Sequence, residues 1–193
     1  MKKILVFVLA GAIVSCNSKE KSMGGSGEKT DSSGNTVTTT DGNNSSTPLD
    51  TKGYTIDYSS NFVMGSNKNA ETILSLWKAW DNNNLDEAKN YFADSVSLYF
   101  NDGSAMLGKR DTVIAMSKPY RSSLGTVHSQ VHAIISNHSV DKDEDWVNIW
   151  GTEYHDVKGK IDSVQLQETW RFNKQGQADL LYQHKADNPK KMK

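Results

Sequence analysis

Cysteine is all but absent from these 193 residues: Cys16 stands alone, so no disulfide can form within the chain. No uninterrupted apolar stretch approaches the ~20 residues that a bilayer-spanning helix requires. The nearest, Ile4 to Val14, stops well short. Basic residues do not outnumber acidic ones, 22 against 23 for a net charge of −1. A nucleic-acid partner, which calls for a basic face, is therefore not expected. No segment repeats another. The chain also lacks a glycine-rich phosphate loop, a Ser/His/Asp order and a Cys/His cluster. No cofactor and no metal site is expected.

What is present begins with an export signal. Lys2 and Lys3 precede the short apolar run, and small residues close it, the pattern of a secretory signal peptide over 1–15. Ile13-Val14-Ser15-Cys16 resembles the bacterial lipobox, with isoleucine where leucine is usual. That resemblance implies acylation at Cys16 and a lipid-anchored protein of the bacterial cell envelope. Asn17 rather than aspartate follows the cysteine, which by resemblance to lipoprotein sorting rules suggests the outer membrane and possible surface exposure. Loss of Lys2 and Lys3 with the leader leaves 20 basic residues against 23 acidic, a balance of −3.

From Asn17 the composition turns to Ser, Thr, Gly, Asn and Asp, as in Met23 to Gly27 and Ser32 to Pro48. Such a segment has too little apolar surface to offset its ordering entropy, so a disordered tether is expected over 16–66. About 50 flexible residues would reach roughly 40 Å. Near its end Tyr54, Ile56, Tyr58, Phe62 and Val63 are apolar enough to dock as a short extended arm.

One domain of ordinary size is expected over 67–189. Its centre is a long hairpin, Trp146–His155 and Ile161–Phe172, turning at Lys158-Gly159. Each half alternates with period two, Trp146, Asn148, Trp150, Thr152 and Tyr154 opposing Val147, Ile149, Gly151 and Glu153. Strands of this length imply a curved sheet. Ahead of it, Ala70, Ile73, Leu74 and Trp77 mark a helix over 70–80 capped by Asn69. A second helix starts at Asn84 with Glu87 at the capping-box position. A strand is expected over 96–101 and a turn at Asp102-Gly103. A third helix runs over 109–117, stopped by Pro119. Strands over 126–139 and 178–186 complete an α+β pattern, helices on one face of a bent antiparallel sheet.

Certain motifs carry a resemblance. Trp77–Asp81 followed by Asn84–Ala88, Tyr91–Val96 leading into a strand, and Gly108–Asp111 entering a helix are four of them. Trp150-Gly151, Trp170–Gly176 and Tyr182–His184 follow in order. In the order and length of its elements the chain resembles the nuclear transport factor 2-like superfamily, especially its SnoaL-like branch. The resemblance implies a cone-shaped, strongly curved antiparallel sheet packed against three N-terminal helices, a pocket in the cone, and homodimerisation through the sheet. Its members include isomerases, dehydratases and cyclases beside binding domains.

Several residues could carry chemistry. His128 and His132 have a metal-like spacing, but their β-branched, alternating surroundings make this a strand. Their Cα atoms then stand roughly 13 Å apart, too far for one ion. Glu168 shares a face with Leu166 and Trp170, an apolar setting that would raise its pKa and suit a general base. Turn parity decides where it points: a two-residue turn sets it opposite Ile149, an odd one beside Trp150. His184, beside Tyr182 and Leu180, could reach the interior and move protons near neutral pH. Asp94 and Asp102 read as capping or turn residues. Five tryptophans are many for one such domain. Trp77, Trp80, Trp150 and Trp170, with Tyr99 and Tyr182 nearer the mouth, form the expected lining of an apolar ligand pocket. Two functions follow: a non-catalytic domain binding a small apolar ligand or partner, or an isomerase, dehydratase or cyclase using Glu168 or His184.

Overall fold

Two long strands joined by two residues set the architecture, and the computed structural model describes it over residues 49–187. The leader, the lipobox with Cys16, and the tether up to Pro48 lie outside the described residues. The hairpin is β5 (Glu144–Val157) and β6 (Lys160–Phe172). Lys158 and Gly159 both take positive φ, 55° and 82°, the conformation two-residue hairpin turns require. Val157 therefore pairs with Lys160, and Ile149 with Glu168.

Five more strands extend this pair: β1 (Phe62–Met64), β2 (Phe92–Phe100), β3 (Ala105–Lys109), β4 (Thr126–Ser139) and β7 (Ala178–Asp187). The sheet order is β1-β4-β5-β6-β7-β2-β3. Every neighbouring pair is antiparallel except β2 with β7, so the sheet is mixed rather than wholly antiparallel. β3 was not expected. It is short and half-exposed, and Ala105 to Lys109 lacks the β-branched alternation that marks the longer strands.

One face of the sheet is covered by α1 (Asn67–Asp81) and α2 (Arg110–Ser123), giving two α-helices where three were expected. The stretch after Asn84 forms only a 3-10 turn over Glu87–Tyr91; Asn84 donates to the Glu87 carboxylate instead of capping a helix. Ser66, not Asn69, caps α1, accepting from the Lys68 amide at 3.3 Å. Asn69 is buried inside the helix, and Leu74 stays exposed, so the packed stripe is Asn69, Ile73, Leu76 and Trp77. Pro119 lies within α2 rather than ending it. It sits on the solvent side, and the carbonyl it leaves without a partner belongs to exposed Ala115. Val113, Ile114, Ser117 and Arg121 face inward over nine residues, and that stripe outweighs the lost hydrogen bond.

The arm ahead of α1 lies against the sheet. Phe62–Met64 pairs with Asn137–Ser139, within the stretch expected as tether. The Tyr58 ring meets Trp146 edge-on at 5.9 Å, and its hydroxyl donates to Glu144. Tyr54 remains largely exposed. The core sits between the helices and the inner sheet face, where Ile73, Val147 and Ile149 have no exposed surface at all.

Candidate functional site

The inner face of β5 and β6 carries Val147, Ile149, Gly151, Glu153, Leu166, Glu168 and Trp170, all buried. Over them α1 lays Trp77. Its indole fits because Gly151 has no side chain: a Cβ there would stand 2.8 Å from the ring and 2.6 Å from the Gln130 carbonyl oxygen of β4. Trp77 then donates its Nε1 proton to Glu168 Oε2 at 2.7 Å.

Glu168 is the hub. Trp170 donates to the same oxygen at 2.9 Å, and Gln183 of β7 donates to Oε1 at 2.7 Å. Burial pushes the carboxyl up from its ordinary value, against the opposing pull of Gln183, Trp77 and Trp170; the charge of Glu153 adds to the rise. A second carboxylate, Glu153, accepts from Trp80 Nε1 and pairs with His155 at 2.6 Å.

These groups line a cavity of about 500 Å³ between the helices and the sheet. Its apolar wall is built from Leu76, Phe92, Leu98, Met106, Val113 and Leu181 beside the three indoles of Trp77, Trp80 and Trp170. Exposed Asp102, Ser104 and Tyr120 mark its open side, with Lys185 donating to the Tyr120 hydroxyl at 3.3 Å. Asp102 also makes the expected turn, accepting from the Ser104 amide and hydroxyl. Asp94 is exposed and stands 3.5 Å from Arg110.

Turn parity divides the expected site residues. Trp77, Trp80, Trp170 and Glu168 meet at the cavity. Trp150, Tyr99, Tyr182 and His184 do not. Trp150 is opposite Ala133 and Gln167 on the outer face, because the two-residue turn pairs Glu168 with Ile149 and not with Trp150. Tyr99 and Tyr182 are paired across β2 and β7 and stack outside at 5.4 Å. His184 is exposed opposite Gln167, so it shares no cavity with Glu168. His128 stacks on Tyr154, and His132 bonds Thr152 at 2.8 Å. Among the described residues no group of three or more His, Cys, Asp or Glu is placed so that it could hold a metal ion. Glu153 and Gln183 were missed. Glu153 could have been found, since it lies two residues from Gly151 on the same face, but Gln183 follows only once β7 is placed.

No protein-family model matches the sequence, and no curated protein matches it. Known structures do. The chain is similar to AusH from Aspergillus nidulans, with 10% identity over 64% of this chain and 87% of that one and a TM-score of 0.52. It is similar also to an NTF2-like protein of unknown function from Burkholderia pseudomallei K96243, at 19% identity over 63% and 91% with a TM-score of 0.49. A SnoaL-like protein of unknown function from Burkholderia thailandensis E264 aligns at 16% identity over 64% and 98%, again at 0.49. Two helices on one face of an open seven-stranded sheet are the fold that this chain shares with AusH, and it is the α+β arrangement expected from the sequence.

Proposed function

We propose that this domain binds a small, largely apolar molecule in the cavity beneath α1 without converting it. One observation carries the reading: about 500 Å³ of space lined by indoles and aliphatic side chains, with a few polar groups fixed within the wall, the usual form of a small-molecule site. The enzymatic alternative, proton transfer by Glu168 as in an isomerase or dehydratase, draws on the burial that raises its pKa. It ranks second because Glu168 already accepts three hydrogen bonds from the wall and His184 lies on the opposite face. The test is titration with N-phenyl-1-naphthylamine, an uncharged fluorescent probe. Saturable binding of one probe per domain is expected. Ser117→Phe, which fills the space from α2, should weaken it at least about tenfold, or 1.4 kcal/mol. Absent or non-saturable binding, or a variant that binds as well as the parent, would sink the reading.

The second part of the proposal is location, and it rests on the sequence of the leader. The protein is held at a bacterial envelope, at the outer membrane, through an acylated Cys16. Cys16→Ala should move it from the membrane fraction to the soluble fraction. Continued partitioning with membranes would remove the anchor from the proposal.

A further inference from the structure

Each of the three indoles at the cavity spends its single hydrogen-bond donor on a buried carboxylate. Trp77 and Trp170 donate to Glu168, and Trp80 to Glu153. No indole N–H is left for a ligand. The two carboxylates differ in their surroundings. Glu153 has His155 at 2.6 Å and acts on the nearby Arg121 guanidinium through its charge. Glu168 has no cation in contact: its partners are two indoles and one neutral amide.

That amide shows a second deficit. Gln183 turns its Nε2 to Glu168, and its Oε1 is buried with no hydrogen-bond partner. A buried acceptor left unpaired costs about 1–3 kcal/mol. The wall therefore holds a carboxylate without a counter-charge and, beside it, a carbonyl oxygen without a donor. Around the cavity as a whole Asp102, Glu153 and Glu168 stand against Lys185 alone. Aromatic walls of this kind attract organic cations through the ring quadrupole.

We propose that the ligand is a protonated amine on an apolar body. Its ammonium group sits against the Glu168–Gln183 pair and supplies both the missing positive charge and the missing donor. Its body lies among Trp77, Trp80, Trp170 and Phe92. The inference rests on the reading that this cavity binds a small molecule, and it names the class.

Calorimetric titration of the full chain at neutral pH, with two probes of one shape, separates the two claims. 4-Phenylbutylamine is a cation under these conditions; 4-phenylbutan-1-ol has a neutral hydroxyl in its place and can still donate a hydrogen bond. The amine should bind about tenfold or more tighter than the alcohol. Glu168→Gln, with its folding checked by thermal unfolding, should narrow that ratio to within about threefold. Lys185→Gln removes a positive charge from the lining and should widen it. This variant keeps the proposal open to refutation if Glu168→Gln fails to fold. Equal binding of both probes, or a preference for the alcohol, would overturn the amine proposal while leaving the cavity reading intact. A ratio that folded Glu168→Gln leaves unmoved would also overturn it, as would one that Lys185→Gln leaves unmoved where Glu168→Gln does not fold. If neither probe binds, the cavity reading falls and the amine proposal falls with it.

Discussion

Replacing Arg121 by methionine should lower the stability of the domain by about 3–5 kcal/mol, the scale of breaking a buried charged network. Arg121 is 1% exposed, the bulkiest of the fully buried side chains among the described residues. Its guanidinium donates to three backbone carbonyls: Trp80 through Nε, Asp81 through Nη2 at 2.8 Å, and Gly125 through Nη1 at 3.0 Å. The first two belong to the last turn of α1, whose carbonyls have no partner within the helix and carry its negative dipole end. The third closes the C-terminus of α2. Gly125 has a φ of 68°, and a Cβ there would stand 2.2 Å from the Asp156 carbonyl oxygen. One planar side chain thus ties both helix ends to each other and to the sheet. Burial pushes its pKa down, while the charges of Glu153 and Asp81 hold it up. Methionine would keep the stem's volume, take from the Asp81 and Gly125 carbonyls the guanidinium donor, leave Trp80 only its bond from the Asn83 amide, and leave two carboxylates without their cation. Arg121→Lys should recover only part of the loss, since a point charge cannot span three acceptors. Urea unfolding measures both variants. A loss below about 1 kcal/mol for the methionine variant would mean that the clamp is not what joins the helices.

Arg121 was not legible in the sequence. It lies beyond Pro119, where helical geometry is expected to stop, and a charged side chain ordinarily belongs outside. Only the packing of α2 against the end of α1 reveals it. The long hairpin was legible, because its alternation runs unbroken through both strands and Lys158-Gly159 is a recognisable turn. Which face points inward was not. Trp146, Trp150 and Tyr154 on one side of β5 are as apolar as Val147 and Ile149 on the other, so alternation establishes a period without an inside. The register resolves it, and with it the fate of the site: Glu168 goes in; Trp150 and His184 go out. A β-sheet with aromatic residues on both faces hides its core in this way, since a shift of one residue exchanges the faces. The tie between Trp77 and Gly151 was equally hidden, because nothing local relates a helix tryptophan to a glycine 74 positions later.

Glu168→Gln should stabilise the protein at neutral pH by about 1–3 kcal/mol, and the gain should depend on pH in one direction only. Burial raises the Glu168 pKa in the folded state above its ordinary value of 4.5. A raised folded pKa means that the native protein holds this proton more tightly than the unfolded chain does. The contribution of Glu168 is then fully present below about pH 4.5, where both states are protonated. It is lost as pH rises through the folded pKa, because the native state must bury a charge that the unfolded chain exposes to water. Exposed aspartates such as Asp86, Asp102 and Asp143 have lowered pKa values and act in the opposite sense, losing stability as pH falls. They are common to both proteins and cancel in the difference. The stability of the variant minus that of the parent should therefore be smallest near pH 4, grow as pH rises, and level off above the folded pKa of Glu168. Hydrogen bonding does not oppose this outcome. The introduced carbonyl oxygen can accept from Trp77 and Trp170 as Oε2 does. The introduced NH₂ can donate to Gln183 Oε1 once that amide turns over, which keeps the bond between the two side chains and moves the Gln183 NH₂ to the buried position where Oε1 now lacks a partner. Thermal unfolding of both proteins across this pH range decides the matter, since each kcal/mol shifts Tm by a few degrees in a domain of this size. A variant less stable than the parent at neutral pH would show that the three donors more than offset the cost of burial. The Glu168 carboxylate would then be a structural anchor of the indoles, not a charge held in reserve for a ligand.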